Sequence, residues 1–353
     1  MADSPLLTLF EVPVVGAPMA GGPSTPDLAA AVSDAGGLGF LAGGYLGVDQ
    51  LARQLADVWD ITSRPFGVNL FVPESANTHP MRRGLDGAER AAAVAGYRER
   101  LLPDAERLGV DLPVPEAGDT DDWERKVDLL VRERVPVVSF TFGLPDAAVL
   151  GALRRSGSLT VATVTDPGEA RGALEAGVDG LVVQGHEGGG HRGTLDPQGV
   201  PDEADLLDVV SQVAALADVP VVAAGGIADA SRAAALLAAG AAAVQVGTAL
   251  LLTPEAGTGL AYRRALADPA FTTTRVTRAF SGRLARSLET DFVREHSDAA
   301  PAAYPEVHHV TVPLRRASAA ADRPDHLALW AGTGWRRARP VPAATVVASL
   351  LPR

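Results

Sequence analysis

The segment 181–194, LVVQGHEGGGHRGT, concentrates more potential chemistry than any other part of the chain. An apolar run ends at Gln184. A loop follows with glycines at 185, 188, 189, 190 and 193, carrying His186, Glu187, His191 and Arg192. Glycine permits positive φ and lets backbone approach a bound group closely, and α/β folds keep their chemistry in loops at the C-terminal ends of strands. Two imidazoles and a carboxylate among these glycines form an ionisable cluster that a simple surface turn does not require. No metal site is expected there, because paired zinc-binding histidines stand four apart on a helix and three consecutive glycines do not sustain one.

Two further loops have the composition of an anion cradle: Ala224-Gly225-Gly226-Ile227 and Gln245-Val246-Gly247-Thr248. Residues without bulky side chains expose backbone N–H groups, and the Thr248 hydroxyl adds a donor. In barrel folds the loops after strands seven and eight commonly bind phosphate in this way. Other strand ends supply Met19 within the small-residue run 16–22, and the amides of Asn69 and Gln184. A flat heteroaromatic ring ending in a phosphate, such as a flavin, suits this set better than a sugar phosphate, which needs several charged partners.

The elements that must position these residues show in the hydrophobic pattern. Eight Val-rich apolar runs, at 12–19, 38–43, 66–71, 136–142, 159–164, 178–184, 219–226 and 242–248, alternate with Ala/Leu-rich amphipathic stretches. Apolar strands separated by helices indicate a parallel sheet covered outside, and eight such units predict a (β/α)₈ TIM barrel of the α/β class. Thr25-Pro26-Asp27 and Asp166-Pro167 open helices that end at Gly36-Gly37 and Gly177. Residues 1–253 are assigned to the barrel, with 74–135 a largely helical insertion after strand 3. Residues 254–310 are expected to form a small helical subdomain over the site, and 311–353 a segment returning to the barrel.

Composition narrows the classes. With 353 residues, 47% hydrophobic, the chain can bury a large core. A net charge of −12 argues against nucleic acid and anionic membrane surfaces. The absence of cysteine excludes thiolate chemistry and makes the cytoplasm the expected compartment, and the N-terminus lacks the basic region of a signal peptide. The apolar stretch 233–252 contains Gly240, Gln245 and Gly247 and is read as helix, turn and strand, not as a membrane span. His308-His309 is read as part of an extended structural segment, and the Arg-rich stretches 275–286 and 336–339 as solvated or ion-paired faces.

The runs GAPMAGGPSTPDLAAAVSDAGGLGF, PFGVNLF, VVSFTFGLP, VVQGHEGGGHRGT, VVAAGGI and VQVGTALL, followed by YPEVHHVTVPLR and LWAG, resemble the nitronate monooxygenases of the class acting on propionate 3-nitronate. The resemblance covers almost the whole chain. It implies an FMN-dependent barrel enzyme that oxidises alkyl nitronates with O₂ to a carbonyl compound and nitrite, with detoxification as its role. It places flavin contacts on Met19, Asn69, Gln184, Gly189, Gly226, Gln245, Val246, Gly247 and Thr248, and the catalytic base on His191; Gly225 joins the expected contacts through the composition of its loop. The family motif Glu-Ala-Gly-Gly-His is here Glu187-Gly188-Gly189-Gly190-His191, preceded by an additional His186. An imidazole titrating near 6.5 would deprotonate a nitroalkane or, protonated, hold a nitronate. Arg192 is read as structural, while Tyr97 and Tyr304 are candidates to reach the pocket.

Two other functions remain open at this stage: an FMN-dependent NAD(P)H quinone or enoyl reductase, and a flavin-binding protein without turnover. The expected partners are a small nitronate and O₂, and a homodimer is one assembly the reading allows.

Overall fold

The computed structural model describes residues 4–79, 84–200 and 202–351. Eight parallel strands form the barrel: β1 (Val14–Gly16), β2 (Gly39–Ala42), β3 (Phe66–Phe71), β4 (Val137–Thr141), β5 (Leu159–Val164), β6 (Gly180–Gln184), β8 (Val221–Ala224) and β9 (Ala243–Val246). Between the last two and β6 in the chain lies a short strand, β7 (Gly190–His191), which belongs to a different sheet. The barrel order runs β1-β9-β8-β6-β5-β4-β3-β2. A parallel bridge between Val15 and Leu38 closes it. All eight apolar runs therefore became barrel strands, as the (β/α)₈ pattern predicts.

Strand periodicity decides what faces inward. In β6, Leu181 and Val183 join the core between sheet and helices, whereas Val182 joins the barrel interior. One step further, Gln184 lies in the barrel mouth. Likewise Val68 and Leu70 of β3 face the helices, which turns Asn69 inward. The N-terminal turn at Pro5–Leu9 adds Leu6 to the barrel-interior cluster, and a Cβ at Gly180 would stand 2.6 Å from it.

The ring of helices comprises α1 (Pro26–Asp34), α2 (Val48–Ile61), α5 (Trp123–Arg132), α6 (Ala147–Ser156), α7 (Pro167–Ala176), α8 (Leu206–Leu216), α9 (Ala230–Ala238) and α13 (Ala343–Ser349). Thr25 caps α1 by accepting from the Leu28 N–H, and Asp166 caps α7 through Gly168 and Glu169. Helix α5 packs between α2 and α6 and completes the crossover from β3 to β4. Inside the segment expected to be an insertion, α3 (Gly87–Arg100) and α4 (Leu102–Leu108) instead pack on α12 (Glu306–Ala320). Val94, Tyr97, Leu101 and Ala105 share a second core there with Phe280, Phe292, Val307, Val310 and Leu314.

Two sequence expectations are corrected. Residues 254–310 are not wholly helical: besides α10 (Leu260–Ala267) and α11 (Asp291–His296), they form β10 (Thr274–Thr277) and β11 (Ala285–Leu288). These strands pair antiparallel, and β11 pairs in turn with β7, opposing Ala285 to His191 and Arg286 to Gly190. The β-branched run from Thr272 to Thr277 carries the strand preference. His308 and His309, expected in extended chain, lie in α12. The segment is rich in β-branched residues and holds Pro313, but Val307, Val310 and Leu314 share one helical face and bury against the second core, so tertiary packing overrides local preference. No described helix is long and apolar enough to cross a membrane, and 233–252 is helix, turn and strand as expected.

Candidate active site

The C-terminal mouth of the barrel opens into a cavity of about 900 Å³. Its lining includes every residue expected to contact a flavin: Met19, Asn69, Gln184, Gly189, Gly225, Gly226, Gln245, Val246, Gly247 and Thr248. His191 lies on the same surface.

The glycine loop after β6 is held rigidly. The Gln184 Nε2 donates to the His191 carbonyl at 2.8 Å, and its Oε1 accepts from the Gly193 N–H at 2.8 Å. Both ends of this amide therefore serve the loop. Arg192 is buried and donates to the carbonyls of Gln184 and Gly185, a structural role. A Cβ at Gly189 would stand 2.4 Å from the Gly332 nitrogen, so the loop and the segment after Trp330 meet backbone to backbone. Asn69 donates through Nδ2 to the Ser139 and Thr141 hydroxyls at 2.9 and 3.0 Å, which leaves its carbonyl oxygen to accept.

The imidazole of His191 sits within an aromatic cage. Its centroid is 5.2 Å from that of Trp330, 5.5 Å from Phe142, 6.2 Å from Phe71 and 6.3 Å from Tyr304. Its Nε2 lies 2.8 Å from the Ser281 Oγ. Burial, reinforced by the positive charges of Arg283 and Arg315, pushes its pKa down to about 3. The shift from the ordinary value of 6.5 favours the neutral ring in this environment.

The other members of the ionisable cluster face elsewhere. His186 Nδ1 lies 3.2 Å from the Ala204 carbonyl, and Glu187 pairs with Arg232 at 3.4 Å. Of the two candidate tyrosines, Tyr97 donates to the Ala279 carbonyl within the second core, whereas Tyr304 joins the His191 cage. Tyr45, His308, Arg315 and the 330–334 segment also line or approach the cavity. Sequence reading did not assign them to the site: Tyr45 sits in the loop after β2, and His308 and Arg315 lie within the quoted run YPEVHHVTVPLR, where His308 was read as structural, while the LWAG run covers the start of the last segment.

At the opposite end, Gly225 and Gly226 have φ of +104° and +68°, and a Cβ at Gly226 would meet the Glu187 carboxylate at 2.3 Å. The amides of Gly225, Gly226 and Gly247 donate to no acceptor among the described residues. The Thr248 Oγ1 accepts from the Gly332 N–H at 3.0 Å, leaving its own proton to donate. This donor set without an acceptor suits an anion.

A parallel barrel whose mouth joins an anion cradle to a caged imidazole defines a barrel enzyme with its site at the expected face. Residues 3–353 match the nitronate monooxygenase family, and the chain belongs to that family of oxidoreductases. A Staphylococcus aureus (strain MSSA476) relative described as "Probable nitronate monooxygenase" is 33% identical over 345 residues, 97% of this chain and 94% of that protein. The structure of nitroalkane oxidase from Streptomyces ansochromogenes is similar at 47% identity with a TM-score of 0.90, covering 98% of this chain and 96% of that one. FabK from Thermotoga maritima is similar at 25% identity with a TM-score of 0.72, covering 98% and 93%.

Proposed function

We propose that this protein is an FMN-dependent enzyme that oxidises alkyl nitronates, propionate 3-nitronate among them, with O₂ to a carbonyl compound and nitrite. The observation that carries the reading is the pairing, within one cavity, of an acceptor-free amide cradle with a neutral His191 in the field of two arginines.

The residues present fit FMN. The amides of Gly225, Gly226 and Gly247 with the Thr248 hydroxyl suit a terminal phosphate dianion. Met19, the small residues beside it and the Asn69 carbonyl suit a flat ring with polar edges. Gln184 contributes chiefly by bracing the His191 loop. When bound, FMN supplies the redox capacity that the side chains lack.

The chain's own residues select the anion. Arg283 is buried, stacks over Phe142 at 4.1 Å and donates to the carbonyls of Thr194 and Phe142; burial lowers its pKa only to about 10, so it stays charged. Arg315 is likewise lowered to about 10. Both favour a nitronate over the neutral nitroalkane. A neutral His191 is available to accept a proton, yet the imidazolium it would become is destabilised by burial and by both arginines. The site is therefore better suited to a preformed nitronate than to deprotonating a nitroalkane. Trp330 and Phe142 flank the imidazole with apolar ring surface.

The test is to extract the cofactor for mass identification, then mix the purified protein anaerobically with a nitronate and, separately, with NADH while following the flavin spectrum. FMN and bleaching by nitronate alone are expected. FAD, or rapid bleaching by NADH at low concentration, overturns the reading, and the NADH result would favour the reductase alternative.

A further inference from the structure

Arg315, whose charge contributes to the field at His191, belongs with Tyr45 and His308 to one group of cavity-lining residues. Tyr45 and His308 stack face to face, with centroids 3.9 Å apart and planes 6° from parallel. One arm of the Arg315 guanidinium reaches the His308 Nδ1 at 3.1 Å and the His308 carbonyl at 3.0 Å. A guanidinium only donates, so the His308 Nδ1 must be the acceptor and its proton resides on Nε2. The Arg315 Nε is buried with no hydrogen-bond partner among the described residues, and the buried Tyr45 hydroxyl meets only the hydroxyl-bearing side chain of Tyr304. The Arg315 Nε and the His308 Nε2–H are thus donors with no acceptor assigned among the described residues, and the Tyr45 hydroxyl stands beside them.

The charge balance points the same way. Asp322, the acidic residue among the cavity-lining residues, is engaged by Arg264. Arg315 has no carboxylate partner among the described residues. A desolvated cation without a counter-charge is costly unless an anion completes the site.

The assembly is also braced from behind. Tyr45 has a positive φ of 68°, an uncommon conformation for a bulky side chain. Its N–H is held by the Asp121 carboxylate at 3.2 Å, and Asp121 pairs with the buried Lys126 at 2.8 Å. Asp119 of the same loop meets the His309 Nε2 at 2.8 Å, tying that loop to α12. The ring of Tyr304 stands 6.3 Å from both Tyr45 and His191. Tyr304 thus stands beside both Tyr45 and His191, and both groups line the same cavity.

We propose that Tyr45, His308 and Arg315 form a second anion subsite that holds a carboxylate at the far end of the nitronate substrate, making Arg315 the residue that selects carboxylated over simple alkyl nitronates. This inference rests on the nitronate reading above and adds the residues that set its specificity. Asp121 acts through Tyr45 as a positioning residue.

The experiment uses the protein as purified with its cofactor. Succinate, which carries a carboxylate at each end of a two-carbon chain, serves as an unreactive probe by calorimetry, with propionate as the single-anion control. The ratio of kcat/KM for propionate 3-nitronate to that for propyl-1-nitronate is measured in parallel. Hydrogen bonds to charged groups contribute about 1.5–3 kcal/mol, so Arg315→Met is expected to lower both the succinate affinity and that ratio by about 10–100-fold. Arg315→Lys should restore part of each. Tyr45→Phe keeps the stacked ring and should lower both by roughly 3–10-fold, which maintains the test if Arg315→Met fails to fold. Unchanged succinate affinity and ratio in these variants overturn the proposal. An equal loss for both nitronates also overturns it, because Arg315 would then hold the nitronate group itself. If the wild type turns over neither nitronate, the functional reading fails, while the succinate measurement still decides the subsite.

Discussion

The His191 Nε2 and the Ser281 Oγ, 90 residues apart in the chain, stand 2.8 Å from each other. The contact joins the barrel's glycine loop to the turn between β10 and β11. Because β11 also pairs with β7, the small C-terminal sheet fixes both the backbone and the ring of His191. Removing the Ser281 hydroxyl should free the ring to rotate. Ser281→Ala is expected to lower turnover by about tenfold, the loss of one hydrogen bond to a working group, and to alter the pH profile. A profile and rate identical to wild type would show that the contact does not orient the base.

Removing the base separates the two histidines of the loop. His191→Asn is expected to lower nitroalkane turnover by about 10²–10⁴-fold, with retained flavin and a smaller loss on preformed nitronate. His186→Asn should cost little, since His186 meets the Ala204 carbonyl outside the cavity. If His186→Asn is the more damaging, the base has been misassigned.

The depressed pKa of His191 has a kinetic signature. A base titrating near about 3 is deprotonated throughout pH 5–8, so kcat/KM should show no acidic limb with a midpoint near 6.5. The measurement is kcat/KM against pH with a neutral nitroalkane. An acidic limb near 6.5 that vanishes in His191→Asn would show that the bound flavin restores ordinary titration.

The same shift predicts how stability follows pH. The folded-state pKa of His191 lies below the unfolded value of 6.5, and that of His308 is also well below it, chiefly through burial. The unfolded chain therefore binds more protons below about pH 6.5, and stability should fall as pH drops from there toward the folded-state values. Thermal melts between pH 7.5 and 5 should show the decline, and it should be shallower in His191→Asn. Equal slopes in the two proteins would contradict it.

The Lys126–Asp121 pair, which braces Tyr45 from behind, offers a stability test. Lys126 is only 1% exposed and Asp121 about a quarter. Lys126→Met strands the carboxylate that holds Tyr45. A cost of about 2–3 kcal/mol is expected, below the 3–5 of a fully buried pair because Asp121 keeps some water. Denaturant melts give the value, and a change under about 0.5 kcal/mol, the scale of an ordinary surface substitution, would show that the pair is not a structural anchor.

Much of the barrel was determined by sequence alone. Strand periodicity at Val68-Asn69-Leu70 and Leu181-Val182-Val183-Gln184 already turns both amides inward, and Thr25, Asp166 and Gly177 mark helix ends through local capping that needs no distant partner. Glycine at 225, 226 and 247 likewise signals exposed backbone donors in any fold that brings the loops together. Tertiary structure decided the rest. Thr274–Thr277 and Ala285–Leu288 became strands, and 306–320 a helix, because β7 and the second core offered surfaces that local preference cannot register. The pKa of His191 depends on burial and on Arg283 and Arg315, which lie 92 and 124 residues away. Tyr45, Ser281, His308 and Arg315 reach the cavity only through long-range packing. Burial and the electrostatic field are properties of the assembled interior, so a linear pattern can name the imidazole but not set its charge.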